Sequence, residues 1–483
     1  MGEAAKKIVV LGGGPGGYVA AIRAAKRGAD VTVVESGPLG GTCLNRGCIP
    51  TKTLIAGVDV LAKARAGAAY GFSVSGEVTP DWARMQLRKE EVVGQLRNGI
   101  HTLFKKAKVK LVAGRGRLAG PGVVEVEVLP EISREEETAP APEAAARELI
   151  QRLEADAVIV ATGSEPLHPS FFDFSQPAVM DSTELLTIER IPSSLLILGG
   201  GPIGCEFACL FAELGTAVTI VELLPQLLPQ EDARAAKQFQ SALRKKGIEV
   251  LVKTRLESVT EYRPDQVTVT LEGGRTLTAE KMLVAVGRQP NTAGIGLETV
   301  GVAVDERGYI LVNERLETSV PGIYAIGDVT GGFLLAHVAS HEGLVAADNI
   351  LGGNRERDLR YVPMCVYGLP ELARVGLTED DARDEGFRPV TGTFRFGALG
   401  KALALGEGQG YVQLVADHDT DRLLGAVMMG PHVTDVIHEV AVALEAGMSA
   451  RRFGRIVHAH PTIAEAVMEA AQDVNGESVH VAG

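Results

Sequence analysis

The stretch KKIVVLGGGPGGYVAAIRAAKRGADVTVVE, residues 6–35, decides the fold because it contains one complete strand–helix–strand unit. An apolar run typical of a strand leads into a glycine turn, an amphipathic helix ends at Gly28, and a second β-branched run ends at Glu35. The stretch SSLLILGGGPIGCEFACLFAELGTAVTIVE, residues 193–222, repeats the pattern without a gap at an offset of 187 residues. The sequence therefore predicts two βαβ units.

Each turn has three glycines at the spacing of a dinucleotide-binding motif. The first permits a tight bend, the second lets the backbone approach a pyrophosphate, and the third lets the helix pack closely on the strand. The helix N-terminus offers N–H groups to phosphates, and a carboxylate about 20 residues further on can bind a ribose hydroxyl. The predicted contacts are Gly12, Gly14, Gly17 and Glu35 in the first unit and Gly199, Gly201, Gly204 and Glu222 in the second.

Two dinucleotides are therefore expected, although one copy could be a fold element without a ligand. At the second site Glu222 would repel a 2′-phosphate. The following segment LLPQLLPQ, residues 223–230, contains no Arg that could receive one. The second site is therefore predicted to prefer NAD to NADP.

The composition limits the class of protein. A chain of 483 residues, 46% of them hydrophobic, is long enough for several domains. Its net charge of -13 argues against a nucleic-acid-binding surface, which needs clustered Lys and Arg, but suits a basic protein partner. Five cysteines do not resemble the disulfide framework of a secreted protein, and no apolar run is long enough to cross a bilayer. We expect a cytoplasmic protein without a metal site.

Two cysteines five positions apart, Cys43 and Cys48, lie in GGTCLNRGCIPTK at residues 40–52. A disulfide between them closes too small a loop to stabilise much by chain entropy, so we expect a bond that opens and closes. An ideal helix would hold the two residues further apart than the roughly 7 Å between Cα atoms that a disulfide tolerates. We therefore expect a local distortion, which Gly47 permits. By spacing alone, two buried reduced thiols are an equal alternative, but the position directly after a dinucleotide unit favours a redox pair.

This motif resembles that of the pyridine nucleotide-disulfide oxidoreductases. Three further segments match the family in order: ATGS at 161–164, VGRQPN at 286–291 and TSVPGIYAIGDV at 318–329. The resemblance covers roughly residues 6–472. Within the family the chain is most similar to the dihydrolipoamide dehydrogenases, to which Tyr18 in the first helix also points.

The resemblance implies an α/β fold with two Rossmann-like dinucleotide-binding domains, for FAD and NAD, and a C-terminal α+β interface domain. The expected boundaries are 1–160 for the FAD domain, 161–285 for the NAD domain, 286–355 for the return to the FAD domain and 356–483 for the interface and dimerisation domain. Residues 131–155 are acidic and rich in Ala and Pro before a part of helical type. They are expected to form a solvated excursion, and a partner-docking role there stays open.

The resemblance also implies roles for the redox residues. Cys48 would lie nearest the flavin as the charge-transfer thiol, and Cys43 would be the interchange thiol that attacks the substrate disulfide. Lys52 would lie near the flavin N5 and pair with Glu206, because a buried lysine needs a carboxylate partner. Asp328 would bind the flavin ribityl chain. The other implied FAD contacts are Thr42, Gly116, Thr162, Gly163, Ser164, Leu334, Leu335, Ala336 and His337, and the other implied NAD contacts are Glu206 and Gly287.

The segment VHAHPTIAEAVMEAA, residues 457–471, resembles the family's C-terminal motif. Pro461 is a favourable first helical residue, which would place Glu465 one turn into a helix, where its carboxylate can orient the imidazole of His460. The resemblance implies that His460 is the acid–base catalyst and acts in the redox centre of the other subunit of a homodimer. His458 is expected to be an ordinary capping or surface residue.

The implied activity is the oxidation of protein-bound dihydrolipoamide by NAD through the Cys43–Cys48 disulfide and FAD. The implied partners are lipoyl domains and the acyltransferase core of 2-oxoacid dehydrogenase complexes, or the lipoyl protein of the glycine cleavage system. A mercuric reductase would need a further cysteine pair after Cys365, and a glutathione reductase would need basic residues after Glu222. A reductase of another disulfide and a non-catalytic flavoprotein subunit are further alternatives.

Two other features receive structural interpretations. Cys205, Cys209 and Cys365 are expected to be small core residues. The segment YGLPELARVG, residues 367–376, stands where the family usually has Tyr-Thr-x-Pro-Glu, a departure that puts the interface only mildly in doubt.

Overall fold

The computed structural model describes residues 5–129 and 149–481. The chain divides into two compact units, each assembled from three segments. The first unit is Met1–Pro50, Leu87–Leu167 and Gly287–Asp358, and the second is Thr51–Gln86, His168–Val286 and Leu359–Gly483. The domain boundaries expected from the resemblance stay a prediction.

The strands in chain order are β1 (Lys7–Leu11), β2 (Asp30–Glu35), β3 (Lys110–Gly120), β4 (Val123–Val128), β5 (Leu149–Glu154), β6 (Ala157–Val160), β7 (Ser164–Pro166), β8 (Val179–Met180), β9 (Ser194–Leu198), β10 (Ala217–Val221), β11 (Glu249–Leu251), β12 (Leu256–Arg263), β13 (Gln266–Leu271), β14 (Thr276–Ala279), β15 (Lys281–Val284), β16 (Arg288–Pro290), β17 (Ile323–Ala325), β18 (Met364–Val366), β19 (Glu371–Gly376), β20 (Pro389–Arg395), β21 (Tyr411–Asp417) and β22 (Leu423–Gly430).

The α-helices are α1 (Pro15–Lys26), α2 (Gly41–Arg46), α3 (Cys48–Arg65), α4 (Trp82–Ala107), α5 (Ser182–Leu185), α6 (Pro202–Glu213), α7 (Ala233–Lys245), α8 (Leu297–Val300), α9 (Ala336–Ile350), α10 (Glu379–Asp384), α11 (Gly400–Ala404), α12 (Val433–Glu445), α13 (Ala450–Gly454) and α14 (Glu465–Asp473). Short 3-10 helices cover Gly67–Tyr70, Gly327–Thr330 and Phe396–Ala398.

The first unit is built on a seven-stranded sheet in the order β17-β6-β1-β2-β3-β4-β5. The strands from β17 to β3 pair in parallel, and β3, β4 and β5 form an antiparallel extension. Alternate residues of β1 enter two different hydrophobic clusters, Ile8 and Val10 one cluster and Val9 and Leu11 the other. This strand is therefore apolar on both faces, as a central parallel strand must be.

The second unit contains three sheets. A parallel sheet has the order β11-β10-β9-β15-β8, a small antiparallel sheet is β12-β13-β14, and a larger antiparallel sheet has the order β18-β19-β22-β21-β20. The strands β21 and β22 are buried along their whole length. Residues of α12, α13 and α14 share one hydrophobic cluster with this last sheet.

The two βαβ units fold in the same register. The strands β1 and β9, the helices α1 and α6, and the strands β2 and β10 each begin 187 residues apart. Lys7 pairs with Asp30 in the first unit, and Ser194 pairs with Ala217 at the equivalent place in the second. The predicted fold class, two Rossmann-like units with a C-terminal α+β region, is confirmed.

The helical interpretation of the end of segment 131–155 is wrong. Residues 130–148 lie outside the described part of the chain, but Leu149–Glu154 form β5, which pairs antiparallel with β4. Strand pairing with the β-branched sequence VVEVEV outweighs the local helix preference, which is a weak signal when tertiary contacts compete. Among the described residues, no helix is long and apolar enough to cross a membrane.

Candidate redox site

The glycines of the first turn have the geometry of a dinucleotide site. Gly12 has φ +103°, and a Cβ there would collide with the carbonyl oxygen of Ala161. A Cβ on Gly17 would collide with the carbonyl oxygen of Gly12. By contrast, a Cβ on Gly14 would meet only Gly41 Cα, at 3.8 Å. The first and third glycines are thus required by packing, and the second leaves space for a ligand.

The second turn repeats this arrangement. Gly199 has φ +108° and no room for a Cβ beside the Ala285 carbonyl, and Gly204 packs against the carbonyl of Gly199. A Cβ on Gly201 would meet nothing within 4 Å. Both turns therefore fit a pyrophosphate next to the helix N-terminus, although the ligand contacts of each glycine stay predictions.

The two predicted ribose-binding acids occupy equivalent positions. Glu35 Oε2 accepts a hydrogen bond from Gly13 N at 2.6 Å, and Glu222 Oε2 accepts one from Gly200 N, also at 2.6 Å. Burial raises the pKa of Glu35 above its usual value, against the opposing effect of the backbone hydrogen bonds. Each acid thus accepts a hydrogen bond from the glycine that lies between the first two motif glycines of its own turn, Gly13 or Gly200.

The segment with the two cysteines is an interrupted helix. The helix α2 ends at Arg46, α3 begins at Cys48, and Gly47 separates them. A Cβ on Gly47 would lie 3.1 Å from the Thr42 carbonyl oxygen and 3.7 Å from Cys43 Cα, so the chain doubles back closely at this glycine. The predicted local distortion is confirmed, and it makes Cys43 and Cys48 a close pair.

Asn45 holds this redox segment in place, a role that the sequence analysis missed. Its Nδ2 donates to the carbonyl oxygens of residues 38, 39 and 41 at 3.0 to 3.2 Å, and its Oδ1 accepts from Arg97 Nη2 at 2.9 Å. The only signal in the sequence was an amide residue between Cys43 and Cys48.

Tyr18 of α1 lies close enough to Cys43 to interact with it electrostatically. Burial raises the pKa of the Tyr18 phenol, and the neighbouring Cys43 raises it further. The phenol therefore stays protonated near neutral pH, where it can serve as a hydrogen-bond donor.

Lys52 and Glu206 form the predicted ion pair. Lys52 Nζ lies 2.6 Å from Glu206 Oε2, and the other carboxylate oxygen accepts from the backbone N–H of Tyr367 at 3.0 Å. The ammonium also lies 4.7 Å from the centre of the Tyr367 ring. Glu206 is buried, so its charge is compensated by these groups within the second unit.

The motifs expected around the flavin converge within the first unit. The strands β7 and β16 pair antiparallel, which brings ATGS beside VGRQPN. Ser164 Oγ donates to Asp328 and accepts from Arg288 Nε at 2.7 Å, and Arg288 Nη2 donates to the Ser164 carbonyl at 2.7 Å. Thr162 Oγ1 donates to the Asn291 carbonyl at 2.7 Å. The network orients Asp328, and Arg288 is a second residue that the sequence analysis missed.

The remaining predicted cofactor residues lie at three places in the first unit. A Cβ on Gly116 would meet the side chains of Leu11 and Val34, so packing alone explains this glycine. Leu334 and Leu335 directly precede α9, whose first residues are Ala336 and His337, and Gly287 precedes β16 with φ +146°. Their cofactor contacts stay predictions.

His460 and Glu465 also form the predicted pair. His460 Nδ1 lies 2.9 Å from Glu465 Oε1, and Thr462 N donates to Glu465 Oε2 at 2.8 Å. Burial alone would raise the pKa of Glu465, but the hydrogen bonds from Thr462 and His460 outweigh it and lower the pKa. The carboxylate is therefore ionised when it orients the imidazole.

The predicted start of this last helix at Pro461 is wrong. The helix α14 begins at Glu465, and the residues before it form turns after a cis bond between His460 and Pro461. Glu465 thus lies at the first helical position, where its side chain reaches back to Thr462 N instead of extending from a formed turn. A carboxylate near a helix N-terminus is stabilised by the exposed N–H groups there.

The interpretation of the other cysteines is confirmed for Cys205 and Cys209, which are fully buried on α6. Burial raises the pKa of the Cys209 thiol to about 11. Cys365 is half-buried and packs against the C-terminal hydrophobic cluster.

In the segment at residues 367–376, glycine replaces the threonine of the family's Tyr-Thr-x-Pro-Glu motif, and packing explains this difference. Gly368 stands at the threonine position, where a Cβ would lie 2.9 Å from Phe239 Cζ and 3.1 Å from the Pro370 carbonyl oxygen. Phe239 is fully buried on α7. The glycine therefore makes room for an aromatic core residue.

Comparisons with known proteins identify the family of the chain. Residues 6–343 match the family model of the pyridine nucleotide-disulphide oxidoreductases, and residues 362–471 match the model of their dimerisation domain. A dihydrolipoyl dehydrogenase of Bacillus subtilis is 42% identical over 98% of both chains, and one of Thermus scotoductus is 40% identical over 98% of both chains.

Solved structures show the same relationship. The HOCl-induced flavoprotein disulfide reductase RclA from Escherichia coli superposes with a TM-score of 0.84 at 30% identity, covering 96% of this chain and 99% of that chain. LpdA from Mycobacterium tuberculosis superposes with a TM-score of 0.86 at 28% identity, covering 97% and 99% of the two chains. The chain therefore belongs to the pyridine nucleotide-disulphide oxidoreductase family.

Proposed function

We propose that this enzyme oxidises dihydrolipoamide carried on lipoyl proteins and passes the electrons to NAD. The observation that carries the proposal is the close pair Cys43 and Cys48 on an interrupted helix directly after a dinucleotide turn. Relatives at about 40% identity over nearly the whole chain are dihydrolipoyl dehydrogenases, which supports this substrate over other disulfides and dithiols.

The exchange proceeds between thiols and disulfides. One thiolate of dihydrolipoamide attacks Cys43 Sγ, which forms a mixed disulfide and releases Cys48 as a thiolate. The second thiol of the substrate then attacks the mixed disulfide, which releases lipoamide and leaves Cys43 reduced. Two electrons have moved from substrate to protein, and the protons released by the substrate thiols need a base.

His460 is the proposed base. Its Nδ1 is engaged by Glu465, so Nε2 is the ring nitrogen that exchanges the proton. Histidine is the side chain that most often transfers protons in enzyme active sites, which suits this task. Because the His460 side chain is 78% exposed, we infer that it serves the redox centre of the other subunit of a homodimer.

The glycine turns and their acids fit two dinucleotides, FAD at Gly12–Gly17 and NAD at Gly199–Gly204. When bound, FAD would supply a two-electron carrier between the reduced cysteines and NAD. Lys52 would provide a positive charge beside the flavin, and Asp328 would hold its ribityl chain. Glu222 selects NAD by excluding a 2′-phosphate.

The proposal extends to partners and location. The enzyme would act with the lipoyl domains and acyltransferase core of a 2-oxoacid dehydrogenase complex, or with the lipoyl protein of the glycine cleavage system. We place it in the cytoplasm because five cysteines in 483 residues do not resemble a secreted disulfide framework.

A second candidate function is the reduction of another disulfide, favoured by the superposition on the HOCl-induced disulfide reductase. A substrate panel separates the two. The FAD-loaded enzyme is assayed with dihydrolipoamide and NAD, with NADP in place of NAD, and with glutathione disulfide or mercuric ion as NADH-dependent acceptors. We expect turnover with dihydrolipoamide and NAD to exceed the others by at least about 100-fold. Faster turnover of glutathione disulfide or mercuric ion would overturn the proposal that dihydrolipoamide is the substrate.

A further inference from the structure

His458 lies two residues before His460 but in a very different environment. Its side chain is 5% exposed, whereas that of His460 is 78% exposed. His458 Nε2 lies 2.6 Å from Glu439 Oε1 on α12, and His458 Nδ1 lies 2.8 Å from the Ile456 carbonyl oxygen. The expectation of an ordinary capping or surface histidine does not describe this geometry.

Both partners of the His458 ring are acceptors. A carbonyl oxygen has no proton to give, and an ionised carboxylate has none either, so both ring nitrogens must donate. His458 is therefore an imidazolium in the folded protein. Hydrogen bonding to Glu439 raises the pKa of His458 above its usual value, against the effect of burial, and the Ile456 carbonyl and the charge of Glu465 add to the rise.

The charged groups that face His458 come from two helices. Glu439 contributes a carboxylate from α12 and Glu465 one from α14, while the Phe453 ring of α13 packs edge-on at 6.1 Å between ring centres. The charge of His458 also helps to lower the pKa of Glu465. Glu465 thus faces two imidazoles, a fixed cation at His458 and the exposed ring of His460.

We propose that His458 is a positioning residue for proton transfer, a fixed imidazolium that anchors residues 456–460 to α12 and keeps Glu465 ionised so that His460 stays oriented. The inference rests on the proposed function of His460. The His458–Glu439 pair adds little net charge near His460. Loss of the cation alone leaves Glu439 uncompensated, which strengthens proton binding at His460. Loss of Glu439 also removes the proton of His458, so it leaves the net charge near His460 almost unchanged.

The test is the pH profile of kcat/KM for dihydrolipoamide in the FAD-loaded enzyme. In His458→Gln we expect the limb that reports His460 to move up by about half a pH unit, because Glu439 keeps its charge alone. In Glu439→Gln the buried His458 loses the carboxylate that raises its pKa and becomes neutral, so both charges vanish together and the limb should stay in place. His458→Lys keeps a cation and should return the limb to the position of the unchanged enzyme. A shift in His458→Gln that is absent in His458→Lys and Glu439→Gln distinguishes electrostatic positioning from a packing defect, which would lower the melting temperature without moving the limb.

His460→Gln is the reference, with an expected loss of at least about 100-fold in kcat/KM. If His460→Gln keeps its activity, the proposed function of His460 fails. If His460→Gln is inactive but the limb stays in place in His458→Gln, or moves equally in His458→Gln and His458→Lys, the role of His458 alone is overturned. Should His458→Gln not fold, nitrogen NMR of the His458 ring in the unchanged enzyme decides the question, because an imidazolium at pH 7 supports the proposal and a neutral ring contradicts it.

Discussion

Lys52 Nζ lies 2.6 Å from Glu206 Oε2, which joins the helix that begins at Cys48 to the helix of the second βαβ unit. Glu206 is buried and Lys52 is about a third exposed, so removing the lysine leaves the more costly unpaired charge. The coupling energy between Lys52 and Glu206 can therefore be measured with single and double variants.

Lys52→Met should lower the free energy of unfolding by about 2 kcal/mol, because Glu206 keeps a buried charge without its ammonium partner. The double variant Lys52→Met with Glu206→Gln should recover part of this loss. Urea unfolding of both variants measures the difference. Equal stability of the single and double variants would mean that the pair does not couple.

Gly368→Thr should destabilise the protein by about 1 to 3 kcal/mol, because the new side chain meets the Phe239 ring and a neighbouring carbonyl. Phe239→Leu in the same chain should restore part of the loss, and Phe239→Leu alone is the control. Thermal unfolding of the three variants is the measurement. A threonine without effect on the melting temperature would refute the steric explanation.

Asn45→Ala should slow reduction of the Cys43–Cys48 disulfide by about 10-fold without loss of FAD. The reason is that the redox segment loses its hydrogen bonds to the carbonyl oxygens of residues 38, 39 and 41. Arg97→Ala removes the hydrogen bonds to Asn45 Oδ1 and keeps those of Asn45 Nδ2, so it should have a smaller effect. Rapid mixing with dihydrolipoamide gives the rate. An unchanged rate in Asn45→Ala would show that the cysteines hold their own geometry.

Asp348 should make stability depend on acid pH. The hydrogen bond from Arg23 lowers the pKa of Asp348 far below its usual value of 3.8. Burial opposes this effect, and hydrogen bonds from Arg355 and Arg27 add to it. Its stabilising contribution is thus present above pH 3.8 and is lost as the pH falls through the lower value of the folded state. The unfolding free energies of the unchanged protein and Asp348→Asn should converge below about pH 4. A constant gap down to pH 2 would contradict this sign.

The stability that His458 contributes should depend on pH in the opposite direction to that of Asp348. Its pKa is raised in the folded protein, so its contribution is complete below the ordinary value of 6.5 and is lost as the pH rises through the folded value. The stability gap between the unchanged protein and His458→Gln should therefore shrink from pH 6 toward pH 9. Chemical unfolding at fixed ionic strength measures it, and a gap that widens with pH would exclude a buried imidazolium.

Much of the fold follows from the sequence because one pattern occurs twice. The repeat at an offset of 187 residues fixes strand, turn and helix, and both turns have the predicted glycine geometry. Family resemblance predicts the pair Lys52–Glu206, and family resemblance together with helical spacing predicts the pair His460–Glu465.

Predictions from the sequence failed where long-range contacts outweigh the local preference for a secondary structure. Residues 149–154 follow an Ala-rich stretch yet form a strand, because β4 offers an edge to pair with. Asn45, Arg288 and His458 act through partners distant in the chain or through the exact path of a turn, which no local pattern contains. Site residues of this kind become visible only in three dimensions.

The most direct test of the account is anaerobic reduction of NAD by dihydrolipoamide in the FAD-loaded enzyme, compared with Cys48→Ser. We expect steady turnover in the unchanged enzyme and a loss of at least about 1,000-fold in Cys48→Ser with FAD still bound, because electrons must enter through the Cys43–Cys48 disulfide. Turnover that survives in Cys48→Ser would contradict the central claim that this disulfide is the redox centre.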